Sequence, residues 1–156
     1  MKKLLIALFF CSSSLYVMGQ KKEIKEALGK AETHFVSDEY GLALPYYLEV
    51  DKLSNPKRPD ISYRIGLCYL DVNQPGKSTP FFLHAKAGGI KDDKMDFYIG
   101  QGYHSNHNFD KAIESFEAYK ATLKKSDEAE LYNVNMYLNY CKVGKELVKN
   151  PVKVRI

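Results

Sequence analysis

Apolar positions along the chain recur at helical spacing, in three registers that superimpose. The first holds Ala31, His34, Ala43, Tyr47 and Val50; the second Gly66, Tyr69, Ser78, Phe82 and Ala85; the third Gly100, Tyr103, Ala112, Phe116 and Tyr119. Within each register the steps are 3, 9, 4 and 3 residues, and between registers the shifts are 35 and 34. A small residue and a large one three places later share one face of a helix. The nine-residue step crosses a turn each time, at Ser37-Asp38-Glu39, at Asp71 to Gly76 and at Ser105 to Asn108. These stretches carry turn-forming residues. The later small residue and the bulky one after it then share a face of a returning helix. A single hairpin of this kind cannot bury its apolar face, so the copies are expected to stack.

Pro45 and Pro80 occupy one equivalent slot, two residues after the small residue of the returning helix. Proline removes a donor and clashes with the preceding turn. The second helices of the first two hairpins are therefore predicted to begin late, near Gly41-Leu42 and Gly76-Lys77, or else to kink. The third carries Glu114 in that slot and is predicted to start around Phe109-Asp110. Beyond it, Asp127 to Lys149 reads as one long capping helix. Ser126 is its expected N-cap, acidic residues fill its first turn, and Asn150-Pro151 is its stop. The tail 151–156 alternates apolar and basic residues, which is a strand signal with nothing nearby to pair with.

The period of about 34 and the order small, aromatic, small, aromatic, small resemble the tetratricopeptide repeat. The likeness covers Ile24 to about Ser126. It departs from the pattern in lacking tryptophan, in placing Ala27, Ser62 and Asp96 where a bulky residue would open each repeat, and in having His34 in an aromatic slot. The expected fold is all-α, an α-solenoid of three helical hairpins (24–58, 59–92 and 93–126) closed by the capping helix 127–149. The ending from Cys141 through Leu147 to Ile156 resembles a junction in envelope proteins of Bacteroidetes-type bacteria. There a tetratricopeptide segment follows a signal peptide and precedes a propeller and an OmpA-type domain. The resemblance implies that this chain is a fragment stopping where the propeller would start. A frayed basic tail is the alternative.

Residues 1–19 read as an export signal. Lys2 and Lys3 precede the apolar run Leu4 to Phe10, and Val17 and Gly19 suit a signal peptidase cutting before Gln20. The run is too short to span a bilayer. Cys11 offers a rival lipoprotein reading, disfavoured because Phe10 stands where such signals carry a small residue. The mature protein is expected to be exported and periplasmic, without a transmembrane segment, its association with the outer membrane coming through a partner or a further domain.

Composition adds exclusions. Apolar residues make up 45% and tyrosines number 12, which argues against disorder. The formal charge is +4; without Lys2 and Lys3 there remain 21 basic against 19 acidic side chains, too even for nucleic acid. His104 and His107 lack the further ligands a metal site needs. Asp92, Asp93 and Asp96 lack a calcium loop, and Gly88-Gly89 lacks the spacing of a phosphate loop. No catalytic, cofactor-binding or metal-binding residues are expected. Cys68 and Cys141 sit two repeats apart, too far for a disulfide, and are expected to be buried free thiols.

What remains is protein recognition. In the resembled architecture the first helix of each hairpin lines a concave face. By the repeat register its non-core positions are Leu28, Glu32 and Phe35; Tyr63, Leu67 and Leu70; Phe97, Gln101 and His104; and, on the cap, Asn135, Leu138 and Asn139. Tyr63 and Phe97 are the expected aromatic anchors of a protein or peptide partner. The slots of a carboxylate clamp hold Leu28, Glu32, Arg64, Lys94 and Tyr98, a set that does not suit a C-terminal carboxylate. The expected function is a non-catalytic binding scaffold of the cell envelope. The alternatives are a structural spacer that positions a neighbouring domain, and a subunit of an enzyme whose chemistry lies elsewhere.

Overall fold

The computed structural model describes the backbone of residues 2–150 and the side chains of residues 19–150. Its elements are α1 (Lys2–Val36), α2 (Tyr40–Leu53), α3 (Pro59–Asp71), α4 (Pro75–Ala87), α5 (Met95–Ser105), α6 (Phe109–Lys120) and α7 (Glu128–Lys149). Among the described residues there is no strand. Each helix packs on the next in chain order, from α1 on α2 to α6 on α7, and α5 also touches α7. The result is an all-α, solenoid-like stack of adjacent helix pairs. The side chains of the expected signal segment, Cys11 included, and the tail 151–156 lie outside the described residues. No described helix is long and apolar enough to cross a membrane.

The turns inside the three hairpins repeat in atomic detail. Asp38, Asn73 and His107 all adopt left-handed backbone, with φ of 58°, 55° and 57°. Each stands just past a helix end. The following residue's N–H reaches back five residues, from Glu39 to His34, Gln74 to Tyr69 and Asn108 to Tyr103, at 2.8–2.9 Å. This bond satisfies a carbonyl that the helix end would otherwise orphan. Asp and Asn tolerate the left-handed region better than other side chains with a Cβ. Gly89 does the same after α4, with φ of 86°.

Helix starts differ slightly from expectation. α2 and α4 begin at Tyr40 and Pro75, so Pro45 and Pro80 lie inside them rather than at their first turn. Pro80 cannot donate to the carbonyl of Gly76, and Asn106 Nδ2 donates to that oxygen instead at 3.0 Å. α6 begins at Phe109, as expected. The N-cap of α7 is Asp127, not Ser126. The Asp127 carboxylate instead accepts from the Lys124 N–H at 2.8 Å, which closes the preceding turn.

The core is built on one contact used repeatedly. A Cβ placed on Gly66 would lie 2.7 Å from the Phe82 ring, and one on Gly100 would lie 2.6 Å from the Phe116 ring. Ala31 and Tyr47 occupy the matching slots of the first hairpin, and both are fully buried. The small residue lets the two helices of a hairpin approach until the aromatic ring fills the space a Cβ would take. Cys68 and Cys141 are free and buried, in separate clusters. Burial pushes their thiols up to about 12 and about 11.

The close approach yields a test. Alanine normally favours a helix over glycine by ~1 kcal/mol. At Gly100 the added methyl would collide with a ring that has no free space, a cost of ~1–3 kcal/mol. Gly100→Ala should therefore lower the urea midpoint, whereas Gly29→Ala, which meets nothing within 4 Å, should not.

Candidate functional site

Three buried triads tell how each hairpin docks on the one before. Ile61, Ile65 and Cys68 of α3 have counterparts in Met95, Ile99 and Gly102 of α5, all buried. On α7 the counterparts are Val134, Leu138 and Cys141. Ile65 to Ile99 is 34 residues, but Ile99 to Leu138 is 39. Ring stacking gives the same register. Tyr98 stacks on Phe82 at 5.3 Å and Tyr137 stacks on Phe116 at 5.1 Å. The extra length is taken up as helix, since α7 starts at Glu128, well ahead of Val134, whereas α5 starts at Met95 itself.

This shift moves the concave positions of α7. The slots that follow Tyr63, Leu67 and Leu70 on α3, and Phe97, Gln101 and His104 on α5, are Met136, Tyr140 and Val143. Leu138, expected in the groove, is instead 3% exposed and part of the core. Asn135 and Asn139 are exposed. Together with Lys142 they fall on the forward face of α7, where a returning helix would pack. Asn139 also borders the groove beside Tyr140.

The other expected positions are half-buried, and several are tied into the core. Leu28 and Phe35 pack on the cluster formed by α1, α2 and α3, with the Arg64 guanidinium 4.7 Å above the Phe35 ring. Tyr63, Leu67 and Leu70 pack against the cluster of Phe82, Ala85, Met95 and Ile99. The Tyr63 hydroxyl donates to Asp92, and burial raises its pKa further above the usual tyrosine value than that bond does. The Phe97 ring lies 5.5 Å from Phe116, 5.2 Å from Tyr119 and 5.3 Å from Tyr137. Gln101 Nε2 donates to the Tyr137 hydroxyl at 3.0 Å. His104 stands edge-on to Phe109 and Tyr137, at 5.8 and 5.9 Å. Burial, and then nearby His107, lower its pKa.

Two adjoining cavities open between α5 and α7. One, of about 610 Å³, runs from Leu70 past Gln101 to Met136 and Tyr140. The other, of about 470 Å³, lies between His104, Phe109, Tyr140, Val143 and Leu147. His104, Ser105 and Tyr140 line both. Tyr140, Val143 and Leu147 are each about half exposed, at 49%, 50% and 52%. Sequence reasoning missed these three because it carried a near-constant period into α7. The signal was present: Tyr132, Met136, Tyr140, Val143 and Leu147 follow steps of 4, 4, 3 and 4.

Of the clamp slots, Arg64 is neutralised by Glu32 at 3.2 Å. The Tyr47 hydroxyl donates to that same carboxylate at 3.0 Å and accepts from Arg64 at 3.4 Å. Arg64 is thus committed to joining α1, α2 and α3. Among the described residues no three histidine, cysteine or carboxylate groups gather as metal ligands. Asp92 is occupied by Tyr63 and the Lys94 N–H, and Asp96 pairs with Lys86. The chain matches no family model, and neither curated proteins nor solved structures gave a match.

Two outcomes follow from this packing. Phe97→Ala removes a ring lodged among three others and should cost ~3 kcal/mol or more of stability, whereas Tyr140→Ala at the half-exposed rim should cost less than ~1 kcal/mol. Denaturant midpoints of the two variants decide the matter. The His104 pKa is lower folded than unfolded, so below its unfolded value near ~6.5 the unfolded chain binds the proton more readily. Stability should therefore fall as pH drops through that value, and His104→Gln should lose less stability than wild type between pH ~7.5 and ~5. Parallel urea titrations would measure the difference.

Proposed function

We propose that the chain is a tetratricopeptide-type binding module of the bacterial cell envelope, exported and non-catalytic, holding a protein partner on the concave side of its last hairpin and capping helix. The observation that carries this reading is the pair of cavities joined at His104 and Tyr140, rimmed by half-exposed Tyr140, Val143 and Leu147. Apolar side chains grouped around a concavity, rather than scattered, are the usual mark of an interaction site. The partner engages the α5–α7 end, where side chains remain available.

The spacer reading draws on a different observation. Tyr63 and Phe97, the aromatic anchors expected from sequence, fill space between helices of the chain's own stack. A spacer would carry such packing and need no groove. Capture from an envelope extract of the source bacterium separates the two. Immobilised wild-type protein should retain a partner that Tyr140→Asp combined with Val143→Lys loses, while Asn135→Asp on the forward face keeps it. Equal recovery, or none, from wild type and groove variant would favour the spacer.

A further inference from the structure

We infer that Gln20 is a modification site: once the export signal is removed, it closes into a pyroglutamyl lactam that blocks the start of α1. This rests on the exported reading above, with processing before Gln20. A glutamine at a chain start carries both reactants of the closure. The free α-amine attacks the side-chain amide carbon, so that a bond forms from the backbone nitrogen to Cδ and the bond from Cδ to Nε2 breaks. Nε2 takes the proton that the amine gives up and leaves as ammonia. The step needs no co-reactant.

The fold gives up little in this closure. Gln20 is half-buried, and its Nε2 donates to the Leu53 carbonyl at the end of α2, at 2.9 Å. Lys21, Lys22 and Glu23 are exposed; the first side chain packed on the core is Ile24, and the first buried one is Ala27. Ring closure therefore costs one bond to a helix end and no apolar contact. Charge favours it. An ammonium at Gln20 would sit at the positive end of the α1 dipole, where Lys21 and Lys22 outnumber Glu23. Like charges disfavour the protonated form, which leaves more of the uncharged amine that attacks. The lactam carries no charge, so its formation ends that repulsion. It also removes the amine that an aminopeptidase must grip. Four residues, 20–23, are all that stand between the new start and Ile24. Trimming would soon reach Ile24 and Ala27, which belong to the cluster α1 shares with α2 and α3.

The test takes the full chain, expressed with residues 1–19, from the envelope fraction of the source bacterium. Its intact mass should equal that of residues 20–156 less one ammonia. Stepwise N-terminal degradation should be blocked, and a pyroglutamyl aminopeptidase should unblock it to read Lys-Lys-Glu-Ile. Gln20→Asn, whose side chain is too short for this ring, should be processed at the same bond and be readable from its first residue. A general aminopeptidase should then shorten Gln20→Asn and lower its melting temperature while leaving wild type intact. A wild-type chain that reads Gln-Lys-Lys-Glu directly would overturn the lactam alone and leave export standing. So would a cut elsewhere, at Cys11 for instance, or a block that persists in Gln20→Asn. A chain that keeps residues 1–19 would overturn the lactam together with the processed, exported reading. Equal behaviour of the two chains toward the general aminopeptidase would overturn the protective block.

Discussion

Everything in this molecule follows from a small residue on the first helix of a hairpin lying beneath an aromatic ring on the second. Gly66 under Phe82 and Gly100 under Phe116 set how closely the helices approach. Each ring is also stacked upon by the next hairpin, through Tyr98 on Phe82 and Tyr137 on Phe116. One ring therefore closes its own hairpin and docks its neighbour. Full burial of such a side chain is worth ~1.5–3 kcal/mol, and here that stabilisation is shared between an internal contact and an interface. Stacks of this sort gain stability repeat by repeat from nearest neighbours. The first hairpin varies the theme, since Tyr47 brings a hydroxyl into the same slot. A buried hydroxyl must be hydrogen-bonded, and Glu32 and Arg64 meet that need.

The two ends of the stack are treated alike on one side and differently on another. On α1, the positions a preceding hairpin would cover hold Glu26, Lys30 and Thr33, all exposed. On α7, the positions a following helix would cover hold Asn135, Asn139 and Lys142, also exposed. Both outer faces are polar, as the terminal repeats of a solenoid need to be. The concave rim of α7, by contrast, carries the exposed apolar Tyr140, Val143 and Leu147. Water contact with Tyr140, Val143 and Leu147 is not forced by the packing of the stack, because polar residues would serve equally well at a purely structural rim.

The hairpins were legible in the sequence because their chemistry is local and repeated. All twelve register positions other than His34, Tyr69 and Tyr103 are buried, and Asp38, Asn73 and His107 fall on the same period as the core. The prolines misled by a residue or two; at Pro80 a tertiary donor, Asn106 Nδ2, takes up the Gly76 carbonyl that proline leaves without a helical N–H. The groove was harder to read. Its α7 side depends on where Val134, Leu138 and Cys141 dock, and that is set by how far helix α7 extends ahead of them. A period inferred from three copies gives no information about an element that abandons it. Tyr63 and Phe97 show a second limit: position on the concave side does not fix exposure when the ring is long enough to reach back between helices.

Electrostatics narrows what the groove can recognise. The charged pairs that link separate helices, Glu32 with Arg64, Lys86 with Asp96 and Lys145 with Asp110, join neighbours in the stack. Exposed pairs of this type add little stability each, and their geometry turns the charges toward one another rather than toward a ligand. The cavity walls hold aromatic, aliphatic and polar groups but no carboxylate, lysine or arginine, and among them is Gln101, whose amide N–H is held by Tyr137. Recognition there, on the binding reading, would rest on shape and apolar contact, which salt screens weakly. Under the binding reading, a partner would be chosen by how its side chains fit between His104 and Val143 rather than by pairing with carboxylates, lysines or arginines of the walls.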